Sequence, residues 1–175
     1  MDFKQNYFEI FQLPVAFDVD LTTLGDRYRK AQGSVHPDKF AGASERDKRL
    51  SVQWATRINE AYGTLKSPLS RAVYLLTLSG VDMSAKANAP VDPGFLMEQM
   101  ELREDLDAIE EGDDALERLD VFKRRVDEIL AGLEQEFAST WQNDLDAAEQ
   151  SVLKMQFITK LRDAAEHLEE KLLDY

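Results

Sequence analysis

The sequence predicts an all-α chain built as two helical units. Apolar residues recur at spacings of three and four along most of its 175 residues, the period of one helix face. No stretch alternates apolar and polar residues as a half-buried strand does. Between them, Gly80, Pro90, Pro93 and Gly94 stand among small and polar residues, a density of breakers that reads as a linker. The expected organisation is residues 1–79 as an N-terminal helical unit, 80–93 as linker and 94–175 as a three-helix bundle.

Leu21, Leu24, Tyr28, Ala31 and Val35 mark the apolar face of one helix in the first unit. Ala55, Ile58, Ala61, Tyr62 and Leu65 mark a second. His36-Pro37-Asp38-Lys39 falls between them and cannot be helix: proline fixes its own φ and pushes the preceding residue out of the α region. His36 therefore leaves the first helix, and a short polar loop presents an imidazole and a carboxylate. In the second unit, helices are expected over 94–111, 113–137 and from 143, with a bend, to about 173, with Asp113-Asp114 as cap and turn between the first two.

Composition narrows the function classes. With 43% hydrophobic and 31% charged residues the chain has the profile of an ordinary globular protein. No apolar run approaches the roughly 20 residues that span a bilayer. Acidic and aromatic residues occupy the N-terminus where a signal peptide would be basic and then apolar. Cysteine is absent, which excludes disulfides, thiolate catalysis and thiolate ligation of zinc or a cluster. The net charge of -13 is unevenly spread: residues 1–75 carry 11 Lys/Arg and 9 Asp/Glu, residues 76–175 carry 10 and 25. Two parts charged so differently suit different partners. The acidic part argues against nucleic acid, whose affinity rests on cations neutralising phosphates.

The helix from Phe95 carries two apolar stripes. Phe95, Leu102, Leu106 and Ile109 fall in a narrow arc that the helix must bury. Leu96, Met97 and Met100 lie nearly opposite, beside Glu101 and Glu104. A helix packed through one face has no structural need of a second stripe, so this one is expected to stay exposed as a binding surface. Methionine suits such surfaces because its side chain is flexible and polarisable. The competing reading packs Leu96 and Met97 under the N-terminal unit. Phe157 lies within about 40° of Leu161 and Leu168 on a helical wheel, so burial is its default.

The H-P-D loop admits two readings from its residues, and a third from a resemblance of its surroundings. Asp38 could orient His36 as a general base, although no nucleophile or phosphate-cradling loop is marked nearby. Asp38 could merely cap the next helix in an acidic helical assembly factor. Helix, H-P-D loop and antiparallel helix together resemble the J-domain of DnaJ-type co-chaperones, and that resemblance implies the third reading, a docking loop. Asn6-Tyr7-Phe8-Glu9-Ile10-Phe11 with Leu13-Pro14, the run Ile58 to Leu65, Ser67-Pro68 and the run Arg71 to Leu76 match J-domain helices in order and spacing. The continuation Phe95 to Leu106 and the segment Leu168 to Tyr175 resemble one branch, the HscB family of iron–sulfur cluster assembly.

That resemblance implies a co-chaperone that is not itself an enzyme and needs no cofactor or metal. It implies two partners: HscA, a DnaK-type chaperone whose ATPase it stimulates, and IscU, the scaffold on which clusters are built. A monomer in the bacterial cytoplasm, with no nucleic-acid or membrane partner, is expected. A J-protein serving another client remains the near alternative. The implied chaperone-binding residues are His36, Pro37, Asp38 and Lys39, with Asp38 pairing with an arginine of the chaperone. Arg27 and Lys30 join them on the helix side opposite Tyr28, with Ser34 alongside and Arg29 flanking. Gln32, Gly33, Ser34 and Val35 stand where many J-domains carry a denser basic run and an aromatic residue. The implied scaffold contacts are Leu96, Met97, Met100, Glu101 and Glu104. Phe157 joins them through the family pattern matched by Lys154, Phe157, Lys160 and Leu161. Ala108 stands where some relatives place a further glutamate.

Overall fold

The structure is a computed structural model and describes residues 2–86, 88–109 and 114–174. The described residues form helices and loops, with no strand. The chain divides into two compact units, Met1–Leu78 and Ser79–Tyr175.

The described residues of the N-terminal unit form four helices and one 3-10 turn. A short helix α1 (Tyr7–Ile10) precedes α2 (Leu21–Ser34), a 3-10 turn over Pro37–Phe40, α3 (Glu45–Lys66) and α4 (Pro68–Leu78). Side-chain caps start all four helices, satisfying N–H groups that have no partner within the helix; before α4 the Ser67 hydroxyl accepts from the Ser70 amide at 3.4 Å. Asn6 and Glu9 form a reciprocal capping box on α1. Asp20 accepts from the amides of Thr22 and Thr23 at the start of α2, and Ser44 accepts from that of Asp47 in α3. The longest helix of this unit, α3, packs against α1, α2 and α4. Phe8, Leu24, Ile58, Ala61, Leu65 and Leu75 are fully buried.

Of the face expected on α2, Leu24 and Val35 are buried and Tyr28 and Ala31 half-buried, whereas Leu21, the first helical residue, is exposed. Tyr28 stacks on Tyr62 with ring centroids 4.1 Å apart, and its hydroxyl donates to Asn59 Oδ1. That contact fastens the two long helices of the hairpin. Arg71, only 5% exposed, donates from Nε to the Leu65 carbonyl at 2.8 Å and from Nη1 to the Phe17 carbonyl. A buried guanidinium needs such acceptors, and the last carbonyls of α3 lack helical partners. Arg71 thus secures the end of α3 and the loop before α2.

The C-terminal unit is a three-helix bundle of α5 (Pro93–Asp107), α6 (Ala115–Thr140) and α7 (Leu145–Leu173). The pairing of α6 with α7, joined by a four-residue connection, is the most extensive in the unit, and α5 packs on both. Leu102, Leu119, Val126, Phe137, Met155 and Ile158 are fully buried. The third helix runs without interruption from Leu145 to Leu173, with no proline or glycine in its 29 residues. Asp114 stands at the start of α6 without making a side-chain cap bond, and Asp113 lies outside the described residues. Residues 80–93 belong to this unit. They contain a 3-10 turn at Ser84–Lys86, bury Met83, and contact α7 through Lys86 and Pro90.

Candidate partner-docking sites

The first site is the H-P-D loop. Val35 ends α2, and His36 adopts φ -59° and ψ 135°, outside the α region as a residue before proline must. Its backbone carbonyl accepts from the Lys39 amide at 3.0 Å. Its Nδ1 accepts from the Asp38 amide at 3.3 Å, a bond that needs a lone pair on that nitrogen. The imidazole therefore caps the turn that carries Asp38. The Asp38 side chain is 90% exposed, and its carboxylate lies 3.4 Å from the same Nδ1. Among the described residues no lysine or arginine pairs with it. A free, exposed carboxylate aimed by a backbone-locked turn is suited to meet a cation on another molecule. Pro37 and Lys39 are exposed beside it.

Arg27 and Lys30 stand differently from each other. Lys30 is exposed and makes no ion pair among the described residues. Arg27 is half-buried, and its Nη1 donates to the Phe11 carbonyl at 3.0 Å, the Gln12 carbonyl at 3.2 Å and Gln12 Oε1 at 3.2 Å. Gln12 has φ +54°, a left-handed conformation that is costly for a residue with a Cβ. Arg27 holds this strained turn at the end of α1, so its guanidinium is already engaged within the N-terminal unit. The helical wheel places it beside Lys30 but carries no sign of the loop folding back on it. Arg29 pairs with Asp26 on the exposed side of the same helix.

The second site lies on α5. Phe95, Leu102, Leu106 and Ile109 are buried. Leu96, Met97 and Met100 are 46%, 66% and 65% exposed, with Glu101 and Glu104 exposed beside them. Phe157 on α7 is half-buried and meets the Phe95 ring edge-on, with centroids 6.2 Å apart. Sequence periodicity assigns Phe157 to the core, whereas the structure leaves the residue only half-buried. Ala108 caps the C-terminus of α5, its amide bonded to the Glu104 carbonyl.

Two residues beside the start of α5 escape the sequence reading as site elements. Asp92 caps the helix by accepting from the Phe95 amide at 2.9 Å, and it pairs with Lys154 of α7 at 2.7 Å. The bond from Lys154 and that from the Phe95 amide hold the Asp92 carboxyl below its ordinary pKa. The cap is legible in the order Asp-Pro-Gly before an apolar run. The pairing with a residue 62 positions later is not.

A helical hairpin turned by an exposed H-P-D loop, joined to an acidic three-helix bundle, defines a J-domain co-chaperone. A family model described as the HSCB C-terminal oligomerisation domain matches residues 91–166. A co-chaperone protein HscB homolog from Shewanella halifaxensis is 45% identical, with 97% of this chain and 99% of that protein covered. The co-chaperone protein HscB of Proteus mirabilis is 41% identical, with 97% and 98% covered. Among solved structures, chaperone HscB from Vibrio cholerae aligns with a TM-score of 0.87 at 41% identity over 96% of this chain and 99% of that one. Human co-chaperone HscB aligns with a TM-score of 0.88 at 29% identity over 97% and 84%. The chain belongs to the HscB family of co-chaperones.

Proposed function

We propose that this co-chaperone binds the iron–sulfur scaffold IscU through its C-terminal bundle and delivers it to the chaperone HscA. Its J-domain then stimulates ATP hydrolysis by HscA, which traps the scaffold and promotes cluster transfer. The observation that carries the reading is the pair of apolar stripes on α5. One of them is buried in the bundle, and the other, Leu96, Met97 and Met100, is open beside Glu101 and Glu104. An exposed apolar stripe rimmed by acidic groups fits a protein partner, with apolar burial supplying affinity and the charges partner choice.

In the J-domain the Asp38 carboxylate would pair with an arginine of the chaperone ATPase domain, with His36 and Pro37 fixing the loop and Lys39 and Lys30 adding docking charge. No bond is made or broken on this chain. It favours the hydrolysis-competent conformation of its partner by binding that state better than the other. Carrying the scaffold on the same chain raises its concentration at the chaperone's substrate site. The setting proposed is the bacterial cytoplasm, with the protein acting as a monomer; no helix among the described residues is long and apolar enough to cross a membrane.

The test is steady-state ATP hydrolysis by HscA, with and without IscU, on addition of this protein. Wild type should stimulate and Asp38→Asn should not. The triple variant Leu96→Ala/Met97→Ala/Met100→Ala should lose only the scaffold-dependent part. Stimulation by wild type that IscU does not enhance would point to a different client. ATP turnover unchanged by wild type would overturn the chaperone reading.

A further inference from the structure

Residues 80–93 have the composition of a linker, yet their second half is fastened to α7 at three successive points. Lys86 pairs with Glu149, the Pro90 carbonyl accepts from Gln150 Nε2 at 3.1 Å, and Asp92 accepts from Lys154 Nζ at 2.7 Å. The last contact does more than tie the chain down. Asp92 Oδ1 takes the Phe95 amide while Oδ2 takes Lys154, so one carboxylate joins the first turn of α5 to α7. The Lys154 ammonium stands 5.3 Å from the centroid of the Phe95 ring, which Phe157 meets edge-on. A Cβ at Gly94 would come within 3.3 Å of Asp92 Oδ1, so glycine keeps the cap uncrowded.

This clamp resolves an ambiguity built into α5. With apolar side chains on opposite sides, hydrophobic burial alone discriminates weakly between two rotations of the helix about its axis. One buries Phe95, Leu102 and Leu106, as observed; the other would bury Leu96, Met97 and Met100. A polar pair that forms in only one of them selects that rotation, the best-attested use of such pairs in specifying register.

We propose that Asp92 and Lys154 are positioning residues for the scaffold-binding face: by fixing the rotation of α5 they present Leu96, Met97 and Met100 together with Phe157. The inference rests on the scaffold-binding reading above but makes a claim of its own about α5.

The experiment measures IscU affinity by calorimetry on the full chain. In parallel, NMR follows the broadening of the Met97 and Met100 methyl signals by a soluble paramagnetic agent. Asp92→Asn keeps a good capping side chain and removes the charge. It and Lys154→Gln should each weaken IscU binding about threefold to fivefold. The double variant should be no weaker than the worse single one, because both remove the same contact. Lys154→Arg should restore affinity to within about twofold of wild type. The methyl signals should lose part of their broadening in the two charge-removing variants and keep it in Lys154→Arg. Unchanged affinity and unchanged broadening in both single variants would overturn the proposal. If wild type fails to bind IscU, the scaffold reading falls, while the methyl signals still decide whether the clamp sets the exposed face.

Discussion

Arg27 Nη1 lies 3.0 Å from the Phe11 carbonyl oxygen and donates to it, joining the second helix of the J-domain to the end of the first. The same nitrogen reaches the Gln12 carbonyl and side chain, in a turn whose left-handed backbone has no glycine to ease it. Arg27→Gln should therefore lower the stability of the N-terminal unit by about 1.5–3 kcal/mol, the range for bonds to a charged donor. Lys30→Gln, at an exposed position, should stay within about 0.5 kcal/mol of wild type. On the proposed function, Lys30→Gln instead raises the concentration needed for half-maximal ATPase stimulation and flattens its salt dependence. Urea unfolding beside a stimulation titration at two salt concentrations separates the roles.

At the loop, the imidazole and the carboxylate should part company. Asp38→Asn leaves the backbone amide and its bond to His36 in place, so folding stability should change by less than about 0.5 kcal/mol while ATPase stimulation is lost. His36→Ala keeps the carboxylate and removes the acceptor of the Asp38 amide. Hydrogen exchange at that amide should quicken, and the half-maximal concentration for stimulation should rise. Stimulation retained in Asp38→Asn would remove the carboxylate from the mechanism.

Acid should weaken the protein through its caps. The amide of Thr23, then that of Thr22 and the Thr23 hydroxyl, hold the Asp20 carboxyl below its ordinary pKa. A carboxyl lowered in the folded state stabilises fully above its unfolded pKa, and that stabilisation is lost as pH falls through the lowered value. The gap in urea midpoint between wild type and Asp20→Ala should accordingly be open at about pH 6 and narrow below about pH 4. A gap independent of pH would mean that the ionised cap contributes nothing.

Alkali should act on the J-domain through Tyr74. Burial, the larger influence, raises its hydroxyl pKa against the opposing bond from the Tyr7 amide, which the hydroxyl oxygen accepts at 3.0 Å. The folded state thus holds the proton longer than the unfolded one. Its contribution is present below the ordinary tyrosine pKa of about 10 and fades as pH rises through the folded value. Tyr74→Phe should lose about 1 kcal/mol at neutral pH by orphaning that amide. It should also show a shallower decline above about pH 10, followed by unfolding at several pH values.

Much of this molecule is legible in its sequence where the cause is local. Pro37 forces His36 out of the helix, and the structure shows it leaving. The seven-, four- and three-residue spacing of Phe95, Leu102, Leu106 and Ile109 marks a face that is buried, with Leu96, Met97 and Met100 left open on the other side. What escapes are contacts between distant positions. Arg71 reaches back 54 residues to Phe17, and Asp92 reaches forward to Lys154. Nothing in the spacing of either residue announces its partner. For the same reason residues 80–93 look like a free connector. Their glycine and prolines describe the local backbone, while their placement depends on Glu149, Gln150 and Lys154 of a helix still to come. The engagement of Arg27 is hidden likewise, because a wheel projects one helix and is blind to the loop lying against it.

The clamp at the head of α5 also bears on how its exposed face can be imitated. A peptide copied from Pro93–Asp107 would carry all five side chains of that face but not Lys154 or Phe157. At 15 residues it would be largely unfolded in water. When it did coil, it would have two greasy flanks to choose between and no instruction about which to offer. A competitive inhibitor patterned on this surface must therefore import its own orientation. A hydrocarbon staple across the Phe95 side, or a two-helix miniature that retains the Lys154 segment, would supply the handedness of display that the isolated segment lacks.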